Sequence, residues 1–424
     1  MKYFVLLSAL IPPFLAAAAP NVLLLSVDTL RADRLGAYGY ALPTSPNLDA
    51  FAREALLFED AVCEVPLTGP SMGAMLSGRY PRMTGTTRNG LRMPDEVPLA
   101  TDQFAAAGYH TFCVQSNWTL KANLSGMDRG FALYDDDFRK KRWGFMKPER
   151  DGDDVTDIAL KFLAERPNDK PFFGWVHYSD PHAPYKMHRK FRPAGKRAWY
   201  LGHEEKTRVK YDSEVAFTDN EIGKLLAALP EDTIVVFVAD HGESLFEHGY
   251  LGHGRKIYQN GMHIPLMIRA PGVDPERTAT PARGIDIGPT LLGLAGLPVP
   301  DSMVGFDLLK ENIPADRARV VETYGGAVPN LPGVKDVMAE AGPLMQGVIH
   351  EGWKLILEAD RRELYYLPED PAELNDRAAE DPDRADTLQQ IIQRWEEATP
   401  VRAQGEENLN AEDLKALEAL GYLE

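Results

Sequence analysis

The chain has 424 residues, 44% of them hydrophobic, and carries 63 acidic against 46 basic side chains for a formal net charge of -17. A surface this acidic repels phosphate backbones and anionic lipid, which excludes nucleic acid and a charged membrane face as partners. Two cysteines, Cys63 and Cys113, cannot build a disulfide framework; they read as small buried thiols, with a single bridge as the alternative in an oxidising compartment.

Residues 1–19 contain a lone Lys2, an apolar run interrupted by Pro12 and Pro13, and the small-residue stretch AAAAP. This pattern predicts a cleaved signal peptide, and so a secreted or periplasmic protein. The run is too short to cross a bilayer, and no second stretch of ~20 apolar residues follows, so no membrane span is expected. Almost at the predicted cut, NVLLLSVDTLRADRLGAYGY begins with a β-branched and leucine run and delivers Asp28 at its end. Thr68 follows in PLTGPSMGAMLSGRYP, just before Pro70 and a predicted helix start. A hydroxyl there either caps the helix or faces its positive end beside an anionic oxygen.

Further along, Asn117 lies in QSNW, and Arg139 to Asp153 form a charged, proline-containing excursion, read as a surface loop or a substrate-contacting lid. FFGWVHY after Pro171 and TIVVFVAD after Asp232 read as buried strands, and HIPLMIRA near His263 as another. Asp180 and His182 follow the first of these in SDPHAPY; Asp240 and His241 close the second in ADHGE. His253 stands between two glycines in LGHG. After about Pro314 the pattern changes to short strands and an acidic helix from about Pro382 to Ala398, and the chain closes on the amphipathic LNAEDLKALEALGYLE.

Strands alternating with helices predict an α/β domain over 20–313, a large and mostly parallel sheet covered by helices. Residues 314–424 then form a small C-terminal α+β subdomain. In such sheets ligands gather at the carboxyl ends of the strands. Asp28, Asp240 and His241 are hard oxygen and imidazole donors delivered to that edge, so they are the predicted ligands of a divalent metal.

The order of these pieces resembles the sulfatase branch of the alkaline phosphatase superfamily over nearly the whole mature chain. The resemblance implies an alkaline-phosphatase-like sandwich and a metal-dependent ester hydrolase. Its motif places the oxidised Cys or Ser of sulfatases, the formylglycine precursor, at Thr68, and the motif's Arg at Met72. Threonine is not a recognised substrate for that oxidation, so no formylglycine is expected. Elsewhere in the superfamily a Thr nucleophile serves phosphodiesterases and phosphoryl transferases, whose metal set of acid, Thr and Asp-His matches Asp28, Thr68, Asp240 and His241.

The same resemblance assigns His182 and His253 as catalytic and ester-contacting residues, with Asn117 and Asp180 beside them. Lysines expected near Asn117 and His253 are absent, and Thr29 replaces a second carboxylate after Asp28. Fewer carboxylates and a His shift the expected ion from calcium toward zinc or manganese. A second metal on Asp180, His182 and His253 would restore the lost positive charge. The expected activity is hydrolysis of a small-molecule or glycan sulfate or phosphate ester by metal-activated Thr68. The alternatives are phosphodiester or phosphonate hydrolysis, phosphoryl transfer, and an inactive glycan-binding homologue. Oligomeric state is not legible in the sequence.

Overall fold

The computed structural model describes residues 19–138, 141–142, 145–146, 149–193, 202–325 and 342–402, with 413 and 415. The predicted leader and nearly all of the closing amphipathic segment lie outside these residues, as does part of the charged 139–153 excursion. Eight strands form the central sheet: β1 (Val22–Val27), β2 (Leu56–Phe58), β3 (His110–Val114), β4 (Leu133–Asp135), β5 (Phe172–Tyr178), β6 (Ile234–Ala239), β7 (Leu266–Arg269) and β8 (Arg277–Thr278). Their order across the sheet is β8-β2-β7-β6-β1-β5-β3-β4.

In β1, β5 and β6 every residue is buried, which a strand achieves only when both faces of its sheet are covered. Each fully buried Val, Leu, Ile or Phe stabilises the fold by roughly 1.5–3 kcal/mol, so these three strands anchor the core. The pairings of β1, β3, β4, β5 and β6 with one another are all parallel. Strand β7 runs against both β6 and β2. The chain between β6 and β7 stays at the carboxyl edge, where it builds the turns holding His241 and His253, and re-enters the sheet from that edge in the reverse direction.

Helices cover the sheet: α1 (Pro46–Ala52), α2 (Thr68–Ser77), α3 (Ala100–Ala106), α4 (Gly152–Glu165), α5 (His203–Ala227) and α6 (Ile287–Leu294). They pack as two groups, α1 with α4 and α5, and α2 with α3 and α6, as helices on opposite faces do. In α4 the buried Val155, Ala159 and Leu163 recur every fourth residue, one stripe facing the core, while Asp153 and Asp154 occupy its positive first turn. Among the described residues no helix is long and apolar enough to cross a membrane.

The C-terminal part is an antiparallel sheet of β9 (Arg319–Thr323), β10 (Met345–His350), β11 (Trp353–Glu358) and β12 (Arg361–Tyr366), with α7 (Pro382–Ala398) against it. Its alternation divides the side chains between two cores. Val320, Val348, Leu355 and Leu364 pack with Leu388 and Ile392 of α7, whereas Val321, Ile349, Ile356 and Tyr365 join the main core. The small unit therefore completes the large one.

A buried ion pair fastens this seam. Lys354 is fully buried, and its ammonium donates to the Ile257 carbonyl at 2.6 Å and sits 2.7 Å from Glu373 Oε1. Removing one member of such a pair strands the other in a dry site. Lys354→Ala is expected to cost about 3–5 kcal/mol in denaturant unfolding, and the paired Lys354→Met/Glu373→Gln substantially less.

Candidate active site

Parallel pairing in register brings the predicted ligands together. Val27 pairs with Ala239 and with Tyr178, so the chain leaves β1, β6 and β5 at one level and presents Asp28, Asp240 and the Ser179–His182 turn side by side. The Asp28 amide donates to the Tyr178 carbonyl at 2.8 Å. Thr29 takes a φ of 53°, a left-handed conformation that strains a β-branched residue. Its amide donates to Asp240 Oδ1 at 3.1 Å and its carbonyl accepts from Tyr211 at 2.7 Å, contacts that hold the strained turn.

Asp28, Asp240 and His241 are completely buried and offer ligand atoms all within 4.8 Å of one another. His241 Nε2 lies 3.8 Å from Asp28 Oδ1 and 3.6 Å from Asp240 Oδ2, and among the described residues these three atoms have no hydrogen-bond partner. The His241 Nδ1–H donates to the Gly242 carbonyl at 2.9 Å, which leaves Nε2 as a lone-pair donor. Burial, with His253 adjacent, pushes the His241 imidazole down to about 3, so it is neutral as a metal ligand requires. Burial and the charge of Asp28 push the Asp240 carboxyl well up. Burial would also raise Asp28, yet nearby His182, His177 and His241 hold it well below the usual carboxylate range. Two buried carboxylates and a neutral imidazole with orphaned atoms fit a divalent cation, since only a positive charge between them lets both acids ionise.

Around this group stand three imidazoles. The His253 ring is 4.5 Å from that of His241 and 5.0 Å from that of His182. Each of the outer two has a carboxylate partner: His182 Nδ1 lies 2.7 Å from Glu149 Oε1, and His253 Nδ1 lies 3.1 Å from Glu243 Oε1. Burial would lower His182, but Glu149 and Asp28 raise it to about 10, so it is an imidazolium at neutral pH. His177, on β5, is also fully buried; its Nδ1 meets Ser26 Oγ at 2.8 Å and its Nε2 lies 3.8 Å from Asp28 Oδ2.

Thr68, predicted as the nucleophile, is buried in the first turn of α2, with Leu67 in the capping position. Ser71 Oγ donates to the Asp240 carbonyl at 2.6 Å, fastening this helix to the metal group's strand. Gly254 must be glycine at φ 85°, because a Cβ there would stand 2.8 Å from Leu67 Cδ2, so the His253 turn presses directly on the residue before Thr68. Gly242 answers to space rather than to φ: a Cβ would lie 2.1 Å from the Asn260 carbonyl oxygen.

Two sequence expectations are revised. Asn117, expected beside the ester, faces Asp28: its Nδ2 donates to Asp28 Oδ2 and its Oδ1 accepts from the Thr119 amide at 2.9 Å. It acts by orienting a ligand carboxylate. Asp180 turns toward the start of α4, where Oδ1 accepts from the Gly152 amide at 3.1 Å, and among the described residues Asp180, His182 and His253 do not close to metal-ligand distances. The helix start competed for this acid and won. Glu149 and Glu243 were missed. Glu243 lay in plain view two residues after His241, whereas Glu149 belongs to the charged excursion and is brought in by a backbone bridge to Asn117. Cys63 and Cys113 are free and buried, as expected of small thiols.

Residues 20–297 match the family model described as Sulfatase, and 246–400 match the one described as N-sulphoglucosamine sulphohydrolase, C-terminal. The chain belongs to the sulfatase family. An ulvan-active sulfatase of Formosa agariphila is 30% identical over 361 residues, covering 74% of this chain and 70% of that protein. A choline-sulfatase of Rhizobium meliloti is 25% identical, covering 85% and 82%. The phosphonate monoester hydrolase of Agrobacterium radiobacter has the same fold, with a TM-score of 0.70 and 21% identity over 89% of this chain and 94% of that one. This sulfatase-family chain is thus a hydrolase acting on sulfate esters, built on the alkaline-phosphatase-like sandwich that its motif order resembles.

Two outcomes follow from the site. Asp28→Asn or Asp240→Asn is expected to weaken zinc or manganese binding, measured calorimetrically, by more than the roughly 10–100-fold that losing an outer partner costs, and Asn117→Ala by an amount within that range. Asp180 gives a pH signature. Burial, partly offset by the Gly152 amide, raises its carboxyl from 3.8 to about 7, so the folded state prefers it protonated. Its contribution is full below the unfolded value and lost as pH rises through about 7. Relative to Asp180→Asn, the wild type should lose on the order of 3 kcal/mol between about pH 4 and pH 7, read from urea midpoints.

Proposed function

We propose that this protein is an exported, metal-dependent sulfate-ester hydrolase in which Thr68 performs the attack that formylglycine performs in other sulfatases. The observation that carries this reading is the seam between α2 and β6: Ser71 ties the helix that Thr68 opens to Asp240, beside the buried group of two acids and an imidazole. A divalent cation held by Asp28, Asp240 and His241 supplies Lewis-acid chemistry, acidifying a hydroxyl and neutralising charge on the ester oxygens. Zinc or manganese suits this donor set better than calcium, because it has one imidazole and only two carboxylates.

The chain's own residues divide the remaining work. Thr68 Oγ, its proton released to solvent, forms a bond to sulfur as the bond from sulfur to the alcohol oxygen breaks. His182, held as an imidazolium by Glu149, gives its proton to the departing alkoxide. Water then cleaves the threonine sulfate ester, releasing sulfate and restoring the hydroxyl, with the conjugate base of His182 taking up the proton. His253, oriented by Glu243, sits between His182 and His241 and lines the approach to the ester. Burial of Thr68, His182, His241 and Glu243 limits access of bulk water and strengthens these electrostatic effects.

A second reading is favoured by the threonine itself: the same attack on phosphorus would hydrolyse a phosphate or phosphonate ester. The two readings separate in a matrix of 4-nitrophenyl sulfate, phosphate, bis-phosphate and phenylphosphonate against zinc, manganese and calcium. Highest kcat/KM on the sulfate, lost at least about 1000-fold in Thr68→Ala and in metal-free protein, is the expected outcome. Turnover confined to phosphorus esters would replace it with the second reading. Activity undiminished in Thr68→Ala would remove Thr68 as nucleophile.

A further inference from the structure

Arg88 is a buried cation without an anion beside it. The residue is 1% exposed, and among the described residues Nε and Nη1 have no hydrogen-bond partner and no carboxylate pairs with the guanidinium. Its identified neighbour is the ring of Tyr324, 5.6 Å from the guanidinium carbon. Burial makes its positive charge harder to hold, an expense that an arginine placed only for packing would not impose. The residues on either side repeat the pattern: Thr87 Oγ1 and Asn89 Nδ2 are also buried donors with no partner among the described residues. Three consecutive residues with unused buried donors make a cradle for an anionic group.

The cradle lies against the helix that carries Thr68. Asn89 Oδ1 accepts from the Gly69 amide at 2.8 Å, and Thr86 Oγ1 stands 3.5 Å from where a Cβ of Gly73 would be. The 86–89 segment therefore runs along the first turns of α2. On the other side of Arg88, Tyr324 follows Thr323, whose hydroxyl donates to the carbonyl of Gly254, next to His253. The segment that bears Arg88 and the Tyr324 ring beside its guanidinium are thus each linked to an element of the site. The chain also lacks a fixed cation on α2 itself, because Met72, one turn after Thr68, is apolar and buried in the core.

We propose that Arg88, with Thr87 and Asn89, binds the non-bridging anionic oxygens of the ester beside Thr68 and supplies from a neighbouring loop the positive charge that Met72 does not. This rests on Thr68 being the attacking residue. Arg88 is then a substrate-binding residue, and its guanidinium orients the ester and offsets charge as the leaving group departs.

The test uses inorganic sulfate and inorganic phosphate as probes on the full mature protein at matched metal loading, comparing wild type, Arg88→Met, Arg88→Lys, Met72→Arg/Arg88→Met and Thr68→Ala. At least one anion is expected to raise the wild-type Tm and to compete with 4-nitrophenyl sulfate. In Arg88→Met the anion-induced shift disappears and kcat/KM falls about 100-fold, while the anion-free Tm stays level or rises. Moving the charge back to α2 in the double variant restores the shift and at least about tenfold of the lost activity. Arg88→Lys, which keeps the charge, retains part of both and gives the reading if Arg88→Met does not fold. An anion shift and kcat/KM unchanged in Arg88→Met, or a fall in anion-free Tm with the shift intact, would overturn the proposal and leave Arg88 a packing residue on Tyr324. Thr68→Ala keeps the two readings apart. Turnover lost there with the anion shift retained supports the nucleophile, whereas turnover kept there while Arg88→Met loses the shift would remove the nucleophile and leave the cradle standing.

Discussion

The mutual repulsion of Asp28 and Asp240 is the constraint on which this structure turns. They leave neighbouring parallel strands at the same level, both fully buried, with His241 as the third donor. Two carboxylates at this spacing in a dry site cannot both be ionised without a cation. Everything around them serves that arrangement. The strained Thr29 turn aims Asp28, the amides of Thr29 and His241 fix one oxygen of Asp240, and Asn117 holds one oxygen of Asp28. The oxygens left without partners are those that face His241.

A second layer of charge surrounds this negative centre. His182 and His253 lean on Glu149 and Glu243, so each imidazole is fixed by a carboxylate on one nitrogen while its other face is turned to the cluster. Such pairs set the protonation state as well as the position of the ring. His241 and His182, whose rings both neighbour that of His253, end in opposite states: burial, with His253 adjacent, pushes His241 down to about 3 against the pull of Asp28, whereas Glu149 and Asp28 overcome burial at His182 and raise it to about 10. The first state suits a metal ligand and the second a proton donor.

The C-terminal sheet enters the same argument through packing. Its strands divide their side chains between α7 and the main core, and Lys354 joins β11 to the Ile257–Gln259 segment that follows the His253 turn. Thr323, on β9, holds the Gly254 carbonyl. The turn bearing His253 is therefore clamped from the small unit.

The sequence by itself determined the sheet and its metal edge. Continuous apolar runs demand burial on both faces, parallel strands deliver their ends to one edge, and the acids closing β1 and β6 had to meet there. Asp28, Asp240 and His241 were legible for that reason, and the family resemblance added Thr68, His182 and His253. Tertiary structure decided what depends on distant chain segments. It turned Asp180 onto the α4 amide, set Asn117 against Asp28, and brought in Glu149 from a charged excursion that read as a surface loop or a lid. It also left Nε and Nη1 of the buried Arg88 without a hydrogen-bond partner among the described residues, which no local pattern encodes. Hydrophobic periodicity is a local property read along the chain, whereas the partner of a buried polar group is set by whichever donor or acceptor the fold places within 3 Å of it.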